Sequence, residues 1–438
     1  MVRKLFVVLV ALSASFAWGA GNDFHLKNGD RVVFYGDSIT EQRMYTMIAE
    51  TYAVTRYPKL DVTFVNTGWG GDTVNGGGGG PIDVRLDRDV TPYHPTVMTI
   101  MLGMNDGGYK AQTPENDEKY FTGYKHIIDK MKSTIPGIEI TAIEPSPYDD
   151  VTVDPVFPLG AGGEYNQVLI SYGKWIAKYA STADIGVADL NTGVVQTLIK
   201  AKSLNPQVAK DIIPGRVHPS FAGHLVMADL LLKAWGARPL VSAVTIDAAK
   251  PKLELKSSEH ATVSDLSRGN GIAWTELDDA LPLPFAQWQD MWGGGDAVGL
   301  VLASSDITAT LNEEPLRVTG LKNGAYSVKI DGQSVGAFNN DELAKGINLA
   351  LLKTPMTAQA MKVYELTTKR EDVFHDRWRT IQVPLADYNL PQTQQVMDSM
   401  NALEKAITQQ QHEAAQPKTH KFEIVPVSLW DKEAPATK

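Results

Sequence analysis

The sequence predicts an α/β protein: a parallel sheet covered by helices on both faces, then a β-rich module and a C-terminal helical segment. Three observations predict it. From residue 31 to about 237, short runs rich in Val, Ile and Thr alternate with longer stretches of helical periodicity. From about 240 to 335 the apolar residues come in short alternating segments, and from 341 helical spacing returns. With 438 residues the chain exceeds one average domain, so two domains, or one large domain with an appendage, are expected.

The first twenty residues, "MVRKLFVVLVALSASFAWGA", carry Arg3 and Lys4, an apolar run from Leu5 to Leu12, and small residues at Ala17, Gly19 and Ala20. This reads as a secretory signal peptide over 1–20, cleaved after Gly19 or Ala20. The apolar run is well short of the ~20 residues of a membrane span, so a retained anchor is the weaker reading. The expected protein is therefore secreted or periplasmic. The absence of cysteine excludes disulfides, thiol nucleophiles and thiolate metal sites. With 41 basic against 51 acidic residues and no basic stripe, a nucleic-acid partner is not expected.

The expected strands of the first unit, residues 21–239, are "RVVFY" (31–35), "DVTFV" (61–65), "TVMTIML" (96–102), "IEITAI" (138–143) and "DIGVADL" (184–190). Stretches such as 115–133 and 165–180 have the helical spacing of crossover connections, which makes the sheet parallel. The unit closes with "SFAGHLVMADLLLKAWGA" (220–237). Residues 240–340 form the β-rich module, read as a sandwich or a sheet packed on the first unit. Its short segments include "AVGLVLA" and "DITATL", and Asp331 and Gly332 between alternating runs signal a hairpin. Residues 341–438 are expected to be helices packing on the other units, with "HKFEIVPVSLW" as one edge strand, while "NGGGGG" (75–80) reads as a flexible loop.

Ligands of an open parallel sheet bind beyond the carboxyl ends of its strands. The first strand leads into "GDSIT", the second into "NTGWGGDT" and the third into "GMNDGG". A serine nucleophile needs a base to accept its proton and donors for the oxyanion that forms as it attacks a carbonyl. Ser38 stands at the strand-to-helix turn, and the main-chain N–H groups of Ser38 and Gly71 with the Asn105 amide are candidate donors. Residue 40 is Thr, so Ser38 does not sit in a G-x-S-x-G elbow.

These residues resemble the SGNH (GDSL) hydrolase family. "GDSIT" matches its first block, with Ser38 as nucleophile; Gly71 in "GGDT" matches the second block; Asn105 in "GMND" matches the third; and "VHPS" matches the last, with His218 as general base. The resemblance covers roughly 28–237 and implies a flavodoxin-like three-layer domain that hydrolyses esters or thioesters without a metal or other cofactor. One departure stands out. The family's last block usually reads D-x-x-H, whereas Gly215 lies three residues before His218. That acid would fix the histidine tautomer and stabilise the imidazolium. Three explanations are open: a backbone carbonyl near Gly215 accepts the Nδ1 proton, a carboxylate such as Asp211 reaches in, or the protein is catalytically crippled.

His224, in the same "PGRVHPSFAGH" stretch, reads differently. Six residues of helix turn by roughly 600°, leaving the two histidines about 120° apart and unsuited to one metal. His224 is therefore expected to be a satisfied, partly buried helix residue. Asp37 and Asp106 are expected to bind main-chain N–H groups rather than transfer protons. Trp69, Tyr109, Tyr148, Tyr165 and Asn166 are candidates for an acyl or sugar pocket or for ordinary loop packing. In "WQDMWGGGD" (288–296) tryptophans could offer sugar platforms, although buried or interdomain Trp is the commoner outcome. The expected function is that of an exported serine esterase acting on short-chain esters, with acetyl groups on polysaccharides as leading substrate. A lysophospholipase or thioesterase is the alternative within enzymes, and a noncatalytic carbohydrate-binding or scaffold protein the alternative outside them. The sequence assigns no oligomeric state.

Overall fold

The structure is a computed structural model and describes residues 24–153, 164–291 and 295–427; the leader expected at 1–20 and Trp292 lie outside the described residues. Five strands form one sheet: β1 (Arg31–Gly36), β2 (Thr63–Asn66), β3 (Val97–Met101), β4 (Glu139–Ile143) and β5 (Gly186–Ala188). Their order is β2-β1-β3-β4-β5 and every pairing is parallel. This is the flavodoxin-like order, in which the strand sequence reverses between β1 and β3 and a crevice opens outside their carboxyl ends. All five residues of β3 are buried, as a strand covered on both faces requires.

Two short turns of chain set the crevice. β1 runs into helix α1 (Ser38–Glu41), and Arg43, with φ 65°, separates it from α2 (Met44–Arg56). Gly36 is needed at the end of β1, because a Cβ there would stand 2.7 Å from the Met101 carbonyl oxygen. Helix α3 (Phe221–Ala234) follows the His218 loop, and its Leu225 and Leu232 join Ile48 and Tyr52 of α2 in one apolar core.

The β-rich module is a two-sheet sandwich. One sheet has the order Ala261–Arg268, Ile272–Asp278, His420–Pro426, Ala325–Ile330, Gln333–Asn339; the other runs Ile347–Asn348, Pro315–Thr319, Ala243–Asp247, Glu254–Glu259. Ile246 and Val318 from one sheet meet Trp274, Val328 and Ile424 from the other in a second apolar cluster. The Asp331–Gly332 hairpin forms as expected, with φ 51° and 80° at its two turn residues.

Two expectations are corrected. "AVGLVLA" and "DITATL" are helical, lying in Gly295–Ser304 and Ile307–Leu311. Short apolar runs do not distinguish strand from buried helix, and these pack Val298, Val301, Ile307 and Leu311 into the core of the first unit. The segment His420–Pro426 is not an edge strand but is paired on both sides, by Ile272–Asp278 and Ala325–Ile330. Its Phe422 and Ile424 are buried, which an edge position would not supply.

Helix α4 (Pro355–His375), the π-helical turn Asp376–Gln382 and helix α5 (Pro391–Ala415) complete the described chain before that strand. Tyr364 of α4 and Ala415 of α5 reach the core of the first unit. Trp288 is buried between Phe221 and Tyr364, with ring centroids 5.3 and 5.2 Å away, and presents no open face to a sugar. Among the described residues no helix is long and apolar enough to cross a membrane.

Candidate active site

Ser38 is the first residue of α1, so its N–H belongs to the helix-start groups that have no intrahelical partner. Asp37 caps the same helix, accepting a hydrogen bond from the Ile39 N–H at 3.0 Å. The Asp37 carboxyl is enclosed, and burial pushes it up to about 7, assisted by the nearby Asp106 and Asp72. The nucleophile candidate thus sits on a turn fixed by its neighbour while its own Oγ stays accessible. That Oγ lies 2.9 Å from His218 Nε2 across 180 residues of sequence.

The loop after β2 is almost fully committed. Thr67 N–H donates to the Phe34 carbonyl at 2.9 Å, Gly68 N–H to Asn66 Oδ1 at 3.0 Å, Trp69 N–H to the Gly36 carbonyl at 3.0 Å and Gly70 N–H to Glu41 Oε2 at 2.8 Å. Asp72 N–H donates to the Trp69 carbonyl at 3.1 Å. Gly71, exposed and at φ 79°, is the exception: among the described residues its N–H has no acceptor. An unspent N–H in a loop whose other amides are spent is what an oxyanion donor requires.

Asn105, after β3, donates one Nδ2 hydrogen to the Asp72 carbonyl at 2.9 Å and retains the other. Its Oδ1 accepts from the Tyr109 hydroxyl at 3.3 Å, which fixes which end of the amide faces the loop. Tyr109 is 40% exposed, adopts φ 56° and leans on Tyr165 and Tyr148. Asp106 binds the Val74 N–H at 2.9 Å, and burial raises its carboxyl to about 7.

The other pocket candidates are more deeply placed. Trp69 is buried beneath Trp378, Arg85 and Arg379. Tyr165 is buried and donates its hydroxyl to the Met104 carbonyl at 2.6 Å. Asn166 spends its amide on the Tyr148 N–H and on Asn191. Of the sequence candidates, the structure therefore gathers Ser38, Gly71, Asn105, His218 and Tyr109 at the carboxyl ends of β1, β2 and β3, with Tyr165 and Asn166 behind them.

On the base side the loop is built differently. Gly215 and Arg216 both adopt left-handed backbone, at φ 70° and 74°. Around Gly215 a Cβ would have space, so the constraint on that position is the backbone conformation, which favours glycine. Asp211 is exposed, and among the described residues its carboxylate makes no hydrogen bond to His218. Likewise, among the described residues nothing is hydrogen-bonded to His218 Nδ1. The nearby Arg216 carbonyl accepts instead from the Asp149 N–H at 2.9 Å.

His224 departs from the expectation of a satisfied, partly buried residue: it is completely buried in α3, stacked on Tyr45 with Nε2 3.2 Å from Gln42 Oε1, and its Nδ1 has no hydrogen-bond partner among the described residues. Burial lowers it to about 3, so it stays neutral.

Two arginines were not singled out in the sequence. Arg216 donates to the carbonyls of Asp149 and Val153, both at 2.9 Å, and to Asp150 Oδ1 at 3.2 Å, tying the base loop to the chain after β4. Its position between Gly215 and the catalytic block was the available signal. Arg85 is fully buried, holding Asp72 Oδ2 at 2.7 Å and the Thr67 carbonyl at 2.7 Å, so it clamps both ends of the Gly71 loop. Nothing in "VRLDRD" distinguishes it from a surface arginine.

A doubly wound sheet carrying a serine, a histidine within hydrogen-bond reach and unspent donors beside them defines the class: an α/β ester hydrolase. Residues 34–226 match the GDSL-like lipase/acylhydrolase family, which marks this part of the chain as an SGNH-type hydrolase domain. A solved gut microbial diltiazem-metabolizing enzyme superposes with a TM-score of 0.80 at 26% identity, covering 93% of this chain and 100% of that one. The acetylxylan esterase of Geobacillus stearothermophilus is 24% identical over 226 residues, 48% of this chain and 95% of that protein. A crystal structure of a catalytic mutant of an acetylxylan esterase from the same organism aligns at 22% identity and a TM-score of 0.38, over 48% of this chain and 96% of that one.

Proposed function

We propose that this protein is an exported serine esterase of short-chain carboxylic esters, with acetyl groups on polysaccharides as its leading substrate. The observation that carries this reading is the 2.9 Å contact between Ser38 Oγ and His218 Nε2 beside the unspent Gly71 N–H. His218 Nε2 accepts the hydroxyl proton as Oγ attacks the ester carbonyl. The N–H groups of Ser38 and Gly71 and the Asn105 Nδ2 hold the tetrahedral oxyanion. His218 then returns the proton to the leaving alcohol, and water repeats the cycle on the acyl-serine. The acetyl preference is supported by the acetylxylan esterase relative, and export by the leader-like residues 1–20.

The test is hydrolysis of p-nitrophenyl esters of rising chain length, together with acetate release from acetylated xylan. Wild type should favour the acetyl ester, and Ser38→Ala should lose roughly 10⁴-fold or more of kcat. Equal inertness of wild type and Ser38→Ala would remove the serine mechanism. Rates that climb with chain length would favour the lysophospholipase or thioesterase alternative. Cleavage of small esters without acetate release from xylan would remove the polysaccharide assignment.

A further inference from the structure

The Gly71 donor is flanked by a second glycine, Gly70, and a Gly-Gly pair has the least intrinsic restraint of any dipeptide. Preorganised donors accelerate a reaction because they do not have to reorient as charge develops. Something must therefore hold this peptide. Gly70 N–H is bound by Glu41 Oε2 at 2.8 Å, and a Cβ on Gly70 would lie 3.9 Å from the Ser38 Cβ, so this contact adjoins the nucleophile.

Glu41 is itself held from far along the chain. Its Oε1 accepts from Arg379 Nε at 3.3 Å, across 338 residues of sequence. The Arg379 guanidinium carbon also lies 3.3 Å from the centroid of the Trp69 ring. The next residue back, Trp378, meets Trp69 edge-on at 5.7 Å and donates its indole N–H to Asp89 Oδ1 at 2.7 Å. Both residues belong to the π-helical turn Asp376–Gln382, a form of helix found often at functional sites.

We infer that Glu41 and Arg379 are positioning residues for the oxyanion peptide, and that the C-terminal helical segment thereby completes the active site of the hydrolase domain. Arg379 fixes the Glu41 carboxylate and covers Trp69, Glu41 holds the N–H of the Trp69–Gly70 peptide, and this holds one end of the turn, closed by Asp72 N–H on the Trp69 carbonyl, whose central peptide carries the Gly71 N–H. A purely structural role fits poorly. The Arg379 and Glu41 side chains are 31% and 27% exposed, and pairs of that exposure contribute little to stability. The inference rests on the oxyanion role given to Gly71 under the proposed function.

The experiment uses the full chain with Glu41→Ala, Glu41→Gln, Arg379→Ala and Arg379→Lys, measuring kcat and KM on p-nitrophenyl acetate and Tm on each variant. Since loss of a whole oxyanion donor costs about 10²–10³ in kcat, a misdirected one should cost about 10- to 100-fold in Glu41→Ala and roughly tenfold in Arg379→Ala, with KM within about threefold. Tm should stay near wild type. Glu41→Gln should recover most of the rate, because its amide oxygen still accepts from Gly70 N–H, and Arg379→Lys should recover part. Wild-type kcat in both alanine variants overturns the inference. So does a loss confined to KM, a loss matched by a large fall in Tm, or a glutamine variant as impaired as the alanine one. A wild type inert toward every ester is a different result: it removes the proposed reaction and, with it, the oxyanion role on which the inference stands.

Discussion

The two sides of the active site are held in opposite ways. On the nucleophile side, Asp37 caps the serine turn, Arg85 clamps the Thr67 and Asp72 ends of the next loop, and the amides around Gly71 are spent. On the base side, His218 is exposed, follows two consecutive left-handed residues and shows no Nδ1 partner among the described residues. The difference teaches where precision is needed. Oxyanion donors must point correctly before charge appears, and the base must stand within hydrogen-bond reach of the serine, which on this side depends on how its loop is anchored. Here that anchor is Arg216, not a carboxylate at position 215.

This contrast can be broken from either side. The largest effect is expected on the nucleophile side, where Asn105→Ala should lower kcat about 10²- to 10³-fold with a small change in KM, measured on p-nitrophenyl acetate. An unchanged kcat would remove Asn105 from the oxyanion site. On the base side, Arg216→Ala should cost roughly tenfold in kcat through displacement of His218. It should also lower stability by about 2–4 kcal/mol, because the Asp149 and Val153 carbonyls lose their donor, and denaturant unfolding reads this directly. A variant as stable as wild type would show that the base loop does not depend on this anchor.

His224 sharpens the comparison through pH. Burial lowers it from 6.5 to about 3, so it is neutral in the fold but takes up a proton in the unfolded chain below 6.5. Its contribution to stability is complete above pH 6.5 and is lost progressively as pH falls from there toward 3. Tm should therefore fall more steeply across that window in wild type than in His224→Gln, and parallel curves would contradict the assignment. The smallest effect is expected from Asp211→Asn, which should alter kcat by less than about twofold because the carboxylate is exposed and, among the described residues, makes no hydrogen bond to His218. A loss of orders of magnitude would restore Asp211 as the orienting acid.

Much of the hydrolase domain was legible in the sequence because its signals are local. Each strand is a compact apolar run, and Ser38, Gly71 and Asn105 lie immediately after the runs that become β1, β2 and β3. The helices at 295–311 were not legible, since "AVGLVL" satisfies a buried strand and a buried helix equally. The central place of His420–Pro426 was hidden for a related reason: its alternation shows which residues point inward but not how many neighbours it has. Least legible were Glu41 and Arg379. Their pairing spans 338 residues, and no local pattern marks a glutamate or an arginine whose partner is that distant.

The strand His420–Pro426 also sets an order of assembly. All five strands of the hydrolase sheet have been synthesised once residue 188 is made, whereas the larger sandwich sheet lacks its middle member until residue 426. On a growing chain the first sheet can form early, as N-terminal domains do, while the strands on either side of the gap wait with unpaired edges. A stop codon between residues 416 and 419 would thus divide that sheet into two hairpins rather than trim its border, and the damage would fall on the half of the molecule farthest from Ser38 in sequence.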